Sequence, residues 1–578
     1  MILRFSNIDS SIGIKDFLFN LLFLRKAHLL HFSVFYYCAI IKVGRINMKK
    51  IDTSYSVFED LILSNNLYVD KTSYLYRLIT QGNRYYFLSR PRRFGKSLTL
   101  STLESIFKGK RELFKGLYID STDYDWKEYP VIHIDFSNIE YININDFRKQ
   151  IKDELVSIAT KYNVKIQDDF EYNQVLKSLI EKLSESGKAV VLIDEYDSLL
   201  NSNINNENIE DIRSVLRGFY SVIKASSTNI RFCFITGVTK FSKMSIFSSM
   251  NNLVDISMDD EYSTMLGYTQ KELEENFSEY IEKAIKDNKK NREEYLAQIK
   301  RWYDGYKFSA NGESVYNPVS IGLFFTKGGR FFRNYWISTG GMSYLLTEVA
   351  KRVKFDVSLS DNVKISEDKL HSTDIVQMLR TNVSKENFLA LLYQSGYLTI
   401  KEATLVSGSY LLTLGYPNEE VENGLNEILL PAYIGSSANS FDRLVIISYF
   451  NSGNVSDAMK VLSSIFASIP YYELVFDRES AWHAGFVCMM NIVGADIIPE
   501  SATNKGRIDC VLRCPGDIYI IEFKFNQSAE KAIEQIREKK YYKPYMKEKK
   551  TIHLLGINFS TEEKNIIEWK DEVIKSTI

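Results

Sequence analysis

An apolar run of strand length, Arg84–Ser89, passes directly into Arg90-Pro-Arg-Arg-Phe-Gly-Lys-Ser97 and then into a helical pattern from Leu98 to Phe107. A strand, a turn ending Gly-Lys-Ser and a helix build a narrow class of structure. Backbone N–H groups at the helix N-terminus converge on one side and form an anion site. In such a loop Gly95 allows close backbone approach, Lys96 reaches the β- and γ-phosphates of a nucleotide, and Ser97 ligates Mg²⁺. The general pattern opens with glycine, where this chain has Arg90. The tripeptide alone is weak, and its context strengthens it. Ala189–Ile193 reads as a buried strand and ends in Asp194-Glu195. Asp194 suits Mg²⁺ held through water, and Glu195 suits activation of an attacking water. Ile230–Thr236 is another buried-type strand, and Thr236 at its end stands either to sense a γ-phosphate or to cap. Pro130–Phe136 is a further strand, and Asp146–Tyr162 and Asn173–Ser186 have helical periodicity. Strands alternating with helices imply βαβ units and a mostly parallel sheet. ATP with Mg²⁺ is therefore the expected ligand. The residues placed around it are Arg92, Arg93, Phe94, Gly95, Lys96, Ser97, Leu98, Asp194 and Thr236, with Glu195 catalytic. Arg92 and Arg93 fit phosphate or a solvated loop face. Arg213 and Arg217, one helical turn apart, fit a salt-bridged surface better than an arginine finger.

Composition narrows the rest. A chain of 578 residues has room for about four domains. Its 45% hydrophobic and 25% charged residues are ordinary for a globular protein. Lys+Arg 72 against Asp+Glu 73 argues against coating nucleic acid by bulk positive charge and leaves room for a local basic groove. Five scattered cysteines give no disulfide framework and point to the cytoplasm. Cys510 and Cys514 have metal-like spacing, but no second Cys or His pair follows, so they read as hairpin positions. The first 47 residues differ from the remainder. Phe17–Leu24 and Leu29–Ile41 are apolar, yet each is shorter than the ~20 residues a membrane span needs. Met48-Lys49-Lys50 reads as a fresh start, so 1–47 is an apolar leader or a mis-assigned start, without stable membrane insertion.

Near the C-terminus, Gly506–Leu512 and Ile518–Lys524 are strands around a Cys514-Pro-Gly-Asp517 turn. If a four-residue turn joins them as an antiparallel pair, Asp509 faces Glu522 at a Cβ separation of roughly 5 Å. Lys524, two residues on, projects from the same face. Two carboxylates and a lysine among apolar residues are costly without a cation or a paired network. Glu-x-Lys arises by chance about twice in a chain this long, so the Asp and the hairpin carry the inference. From Tyr471 to Ile578 there are sixteen Lys+Arg and seventeen Asp+Glu, so this region is not basic overall. Lys539, Lys540, Lys543, Lys547, Lys549 and Lys550 nevertheless cluster with Tyr541, Tyr542 and Tyr545. That stripe fits either phosphate contacts with base stacking or a solvated helix end.

The chain resembles the AAA-ATPase-like family that carries a C-terminal PD-(D/E)XK nuclease domain. The resemblance rests on Tyr68-Val-Asp-Lys-Thr72, the loop Arg90–Ser97, Leu192-Ile-Asp-Glu-Tyr-Asp197 and Thr236-Gly-Val-Thr-Lys240. Trp302-Tyr-Asp-Gly-Tyr306, Tyr316-Asn-Pro318, Tyr335-Trp336 and Gly415-Tyr-Pro-Asn418 extend it, and Arg in place of the first loop glycine is typical of the family. The resemblance covers nearly everything from Met48 onward. It implies a P-loop NTPase parallel sheet with a helical lid and connector, followed by an α/β restriction-endonuclease-like domain. It also implies that Asp509, Glu522 and the Phe523 carbonyl hold Mg²⁺, that Lys524 orients the nucleophile or stabilises the transition state, and that Glu479 and Gln535 complete the centre. His483, one turn beyond Glu479, reads as structural. The expected division is 1–47 leader, 48–260 ATPase, 261–345 helical lid, 346–455 helical, winged-helix-like connector and 456–578 nuclease-like domain. The expected function is the pairing the resemblance implies: an ATP-binding, hydrolysing domain coupled to a metal-dependent nuclease acting on DNA or RNA. The alternative is an ATP-switched regulatory or scaffold protein whose nuclease fold only binds nucleic acid or a protein. A homo-oligomer is left open.

Overall fold

The computed structural model describes residues 48–202, 209–240, 250–339, 346, 349, 363–370, 383–425, 440–468, 486, 490, 496–503 and 506–574. The leader, Cys38, Glu479, His483 and Cys488 lie outside the described residues.

Five strands form the first sheet: β1 Tyr85–Ser89, β2 Val131–Asp135, β3 Ala189–Asp194, β4 Ile230–Gly237 and β5 Val254–Asp255. Their order is β2-β3-β4-β1-β5 and every pairing is parallel. All six residues of β3 are buried, as expected where helices cover both faces of a sheet. The helix Lys96–Phe107 buries nine of its twelve residues. The helix Ile144–Lys161 starts at Asn143, whose side chain accepts from the N–H groups of Asn145 and Asp146. The helix Tyr172–Ser184 starts with a reciprocal Glu171/Gln174 capping box. Because β1 leads away to β2 while β4 returns past it to β5, the connections diverge at the carboxyl ends of β1 and β4. A crevice forms there, where open α/β sheets take their ligands.

The helices Gln270–Asn276, Ser278–Asn288, Arg292–Tyr303 and Pro318–Thr326 share an aromatic core with Val69. A small antiparallel sheet follows, ordered β6-β8-β7, from β6 Val363–Ser366, β7 Thr399–Val406 and β8 Ser409–Gly415. The sequence reads separate hairpins near Gly396–Lys401 and Tyr410–Gly415, whereas these stretches pair with each other as the one hairpin β7–β8. Its residues Ile400, Leu412 and Leu414, with Phe388 and Leu391 of the helix Lys385–Gln394, belong to the same hydrophobic core as β1–β4.

The second large sheet is ordered β13-β12-β11-β10-β9. Its strands are β9 Asp496–Thr503, β10 Gly506–Arg513, β11 Asp517–Phe525, β12 Thr551–Ser560 and β13 Asn565–Ile574. β11 and β12 are parallel, joined by the helix Ala529–Lys539, and the other pairings are antiparallel. One face packs on the helices Ser440–Asn451 and Val455–Ser468. The other packs on Ala529–Lys539 and on Tyr541 and Tyr545. By sequence pattern the last hundred residues read as a long helix, three strands, a helix, a strand and a tail, yet 565–574 form an edge strand. Edge strands need only one neighbour, and Glu568, Lys570, Asp571 and Glu572 keep it soluble while hiding the strand pattern. Among the described residues no helix is long and apolar enough to cross a membrane.

This edge is fastened by His553. Its ring stacks on Tyr519 at 4.4 Å between centroids. Its Nδ1 lies 3.0 Å from Asp571 of β13, and its Nε2 lies 3.5 Å from Asp517. Burial opposes the ring's charge, but the bond to Asp571 and the charges of Asp571 and Asp517 outweigh it, holding the imidazole above its ordinary value. A raised value means stability that is complete below about pH 6.5 and is lost as pH rises through the folded-state value. The urea midpoint of the wild-type chain should therefore fall more steeply between pH 6 and 9 than that of His553→Gln. Parallel curves would show that the ring's charge does not hold β13.

Candidate functional site

Two centres carry chemistry. The first lies at the carboxyl ends of β1 and β3. The loop after β1 turns on Arg93 at φ +66° and Gly95 at φ +96°. Left-handed residues at such spacing swing successive N–H groups to one side, and Gly95 caps the helix Lys96–Phe107. A Cβ built on Gly95 would meet no atom within 4 Å, so the space before the helix is open to an anion. A cavity of about 460 Å³ occupies that space, lined by Arg92, Lys96, Ser97, Leu98, Asp135 and Glu195 among others. The Lys96 side chain is 3% exposed, with Nζ 3.3 Å from both the Pro91 carbonyl and Glu195 Oε1. Glu195, at φ +48°, receives it from the end of β3.

Asp194 is buried behind Glu195. Its Oδ1 accepts the Thr236 hydroxyl and, at 3.0 Å, the Glu195 N–H. Thr236 is fully buried, so its hydroxyl faces Asp194 rather than open space. Phe94 is also a core residue: its ring packs edge-on against Tyr306 at 4.9 Å and Phe308 at 5.3 Å. Only its backbone is available to a ligand. Arg93 is exposed and Arg92 half-buried. Arg213 is nearly buried and pairs with Glu210 of its own helix at 2.9 Å, as a salt-bridged face would.

Three residues at this centre escape the sequence reading. Arg90 is 1% exposed and turned away from the cavity. Its guanidinium donates to the carbonyls of Ser89 at 2.9 Å, Ser257 at 2.6 Å and Tyr262 at 3.2 Å, and lies over Phe308 at 4.2 Å. Burial draws its pKa down to about 10, which leaves it charged at neutral pH. Arg90 is thus a clamp between β1 and the segment after β5. Arg90→Gly would restore the general loop pattern yet strip the donor from three carbonyls. It should cost about 3 kcal/mol, read as a lowered urea midpoint with an unchanged slope. A midpoint at the wild-type value would remove the clamp. Asp135, at the end of β2, is paired in register with Asp194 and faces the cavity. Its only sequence signal is an acid at a strand end. Asp197 is fully buried and accepts the Thr239 N–H at 2.7 Å and the Val238 N–H at 3.1 Å. It fixes the backbone that leaves β4.

The second centre sits on β10 and β11. Cys510 pairs with Ile521, Val511 with Ile520 and Arg513 with Ile518, the register in which Asp509 continues opposite Glu522. Asp509 Oδ2 accepts the Phe523 N–H at 2.8 Å. Lys524 Nζ lies 3.6 Å from Glu522 Oε1 and donates to Gln535 Oε1 at 2.7 Å. The Gln535 amide in turn donates to Glu522 Oε1. Four of the expected residues therefore converge, and Phe523 joins them through its backbone. Glu479 lies outside the described residues. Glu522 is 2% exposed, and its Oε2 is buried with no hydrogen-bond partner among the described residues. Burial first, and then the charge of Asp509, push its carboxyl up to about 8. An orphaned carboxylate oxygen beside a second acid is what a divalent cation would satisfy, so the residues present fit Mg²⁺. Among the described residues no cluster of three or more His, Cys, Asp or Glu side chains has metal-holding geometry, so this centre supplies two acids.

The basic stripe is corrected in part. Tyr541 and Tyr545 are 2% and 8% exposed and pack beneath the sheet, so they cannot stack on bases. Lys539, Lys540, Lys543, Lys547 and Lys549 remain exposed. Cys510 and Cys514 are buried in the core of the C-terminal sheet, as hairpin positions should be.

Fold and centres together define a P-loop ATPase-type domain followed by a nuclease-superfamily domain. Residues 53–247 match the model of a predicted AAA-ATPase family, and 477–569 match the PD-(D/E)XK nuclease superfamily. An uncharacterized protein in the vnfD 5′ region of Azotobacter chroococcum mcd 1 is 35% identical over 511 residues, covering 86% of this chain and 94% of that one. Among solved structures, the Aeropyrum pernix ORC2 protein in its ADPNP–ADP complexes aligns with 62% of this chain and 92% of its own, at 12% identity and a TM-score of 0.22. A score that low adds nothing to the assignment. The chain belongs to the AAA-ATPase-like family with a C-terminal PD-(D/E)XK nuclease superfamily domain.

Proposed function

We propose that the chain binds and hydrolyses ATP at the first centre and cleaves nucleic acid phosphodiesters at the second. One observation carries the nuclease half: the buried Glu522 carboxyl, with an oxygen unpartnered among the described residues, beside Asp509 and Lys524. Mg²⁺ held by Asp509, Glu522 and the Phe523 carbonyl, with Glu479 as a further ligand, would acidify a water and neutralise phosphodiester charge. Lys524, steered by Gln535, orients that nucleophile or meets the developing charge. At the first centre Lys96 and the loop N–H groups bind the phosphates. Ser97 and Asp194 provide the Mg²⁺ site, and Glu195 takes the proton of the attacking water. Thr236 orients Asp194, to which its hydroxyl is bonded, and so acts on the γ-phosphate side indirectly. Arg92 and Arg93 flank the phosphate path.

We also propose the division 48–260, 261–345, 346–455 and 456–578, with the last boundary drawn back to 440, because the helix Ser440–Asn451 shares the core of the C-terminal sheet. A cytoplasmic location suits the scattered cysteines. The substrate is DNA or RNA, met by the exposed lysines near 539–549, so binding should weaken with salt. The test is incubation of full-length protein with single- and double-stranded DNA and RNA, with Mg²⁺ or Mn²⁺, with and without ATP. Metal-dependent cutting supports the reading. No cutting under any of these conditions leaves an ATP-switched binding protein.

A further inference from the structure

The motifs Trp302–Tyr306, Tyr335-Trp336 and Gly415–Asn418 are absorbed by neither centre, yet they gather behind the phosphate loop. A loop that points its N–H groups inward must point carbonyls outward, and those need donors. The Arg92 carbonyl finds one 244 residues away: the Trp336 indole N–H donates to it at 3.0 Å. The Trp336 ring is 2% exposed and rests on Tyr397 at 5.2 Å, with Tyr306 edge-on at 6.2 Å. Pro91 lies against Gly396, where an added Cβ would come within 2.7 Å of the proline ring. Trp336 is itself held. Glu420, fully buried, accepts the Trp336 N–H at 2.6 Å and the Ser320 hydroxyl at 2.7 Å. Burial pushes the Glu420 carboxyl up to about 8.

Resting on the ATP reading above, we propose that Trp336 is a positioning residue for the phosphate loop, and that Glu420 and Gly396 tie its hold to the segment 396–425. The indole keeps the Arg92 carbonyl out of the cavity and the loop N–H groups facing into it. A nucleotide that orders the loop therefore orders 396–425 as well, and by reciprocity a disturbance of that segment changes nucleotide affinity.

The test uses the full-length chain and Trp336→Phe, which keeps a ring and removes the N–H. ATP with Mg²⁺ should bind the folded variant about tenfold more weakly, with a thermal midpoint close to wild type. A merely structural tryptophan would lower the midpoint and leave the affinity of the folded protein unchanged. In parallel, saturating ATP·Mg²⁺ should slow amide hydrogen exchange across 396–425 in the wild-type chain, and less so in the variant when it too is saturated. The wild-type exchange measurement stands even if the variant does not fold. Unchanged affinity in a folded Trp336→Phe, or no protection of 396–425 in an ATP-bound wild-type chain, would overturn the proposal. Failure of the wild-type chain to bind ATP would instead overturn the ATP reading, and this inference with it.

Discussion

Glu522→Gln should cut the rate of the proposed cleavage sharply and at the same time stabilise the metal-free chain at neutral and alkaline pH. The amide keeps the shape of the side chain and can still accept from Gln535, but it offers a cation no charge. Losing the metal forfeits several kcal/mol of transition-state stabilisation, so the rate should fall about a thousandfold. The stability effect has the opposite sign. The folded-state carboxyl titrates at about 8 against an ordinary 4.5. Below about pH 4.5 folded and unfolded chains both carry the proton, and the group contributes no penalty. As pH rises from there to about 8, the folded chain must retain a proton that the unfolded chain has released. Stability then falls by up to about 1.4 kcal/mol per pH unit. The glutamine variant escapes that loss, so its urea midpoint should exceed that of the wild type at pH 8 and match it near pH 4.5. Mg²⁺ or Mn²⁺ should raise the wild-type midpoint at pH 8 and leave the variant unmoved. Wild-type cutting by the variant would end the site assignment. Identical pH profiles would show that Glu522 holds no buried charge.

Lys96→Ala should lower ATP affinity about a hundredfold, since a charge-assisted bond to phosphate is worth roughly 1.5–3 kcal/mol and a lysine at this place in the loop would reach both the β- and γ-phosphates. The fold should survive. The ammonium's two neighbours are the Pro91 carbonyl and Glu195, whose side chain is 19% exposed and so can turn to water when its partner goes. A calorimetric titration with ATP·Mg²⁺, paired with a thermal melt, reads both effects. Unchanged affinity would remove the loop from the phosphate site, whereas lost affinity with an intact melt places Lys96 on the ligand.

What the sequence disclosed follows the range of the physics. The Asp509–Glu522 register was legible because a hairpin is local: turn length sets the pairing, and the period of two sets the face. Lys524 followed from the same period. The parallel sheet was legible as alternating strands and helices, but its order was not, because crossovers allow several. Distant packing stayed hidden. Nothing near Arg90 says that its guanidinium ends on Ser257 and Tyr262, and nothing near Trp336 points to Arg92. Asp135 becomes notable only once β2 is seen beside β3. In β13 the charges that protect an exposed edge also erase the alternation by which a strand is recognised.

The apolar core that joins β1–β4 to residues 383–425 bears on how this chain can be divided. A cut at residue 247, where likeness to the ATPase family ends, strips away Phe388, Leu391, Leu412 and Leu414. It would leave an oily flank facing water where those side chains had been. Residues 53–247 are therefore not by themselves a unit of folding. An excised nucleotide-facing sheet should therefore need the later segment with it to remain soluble.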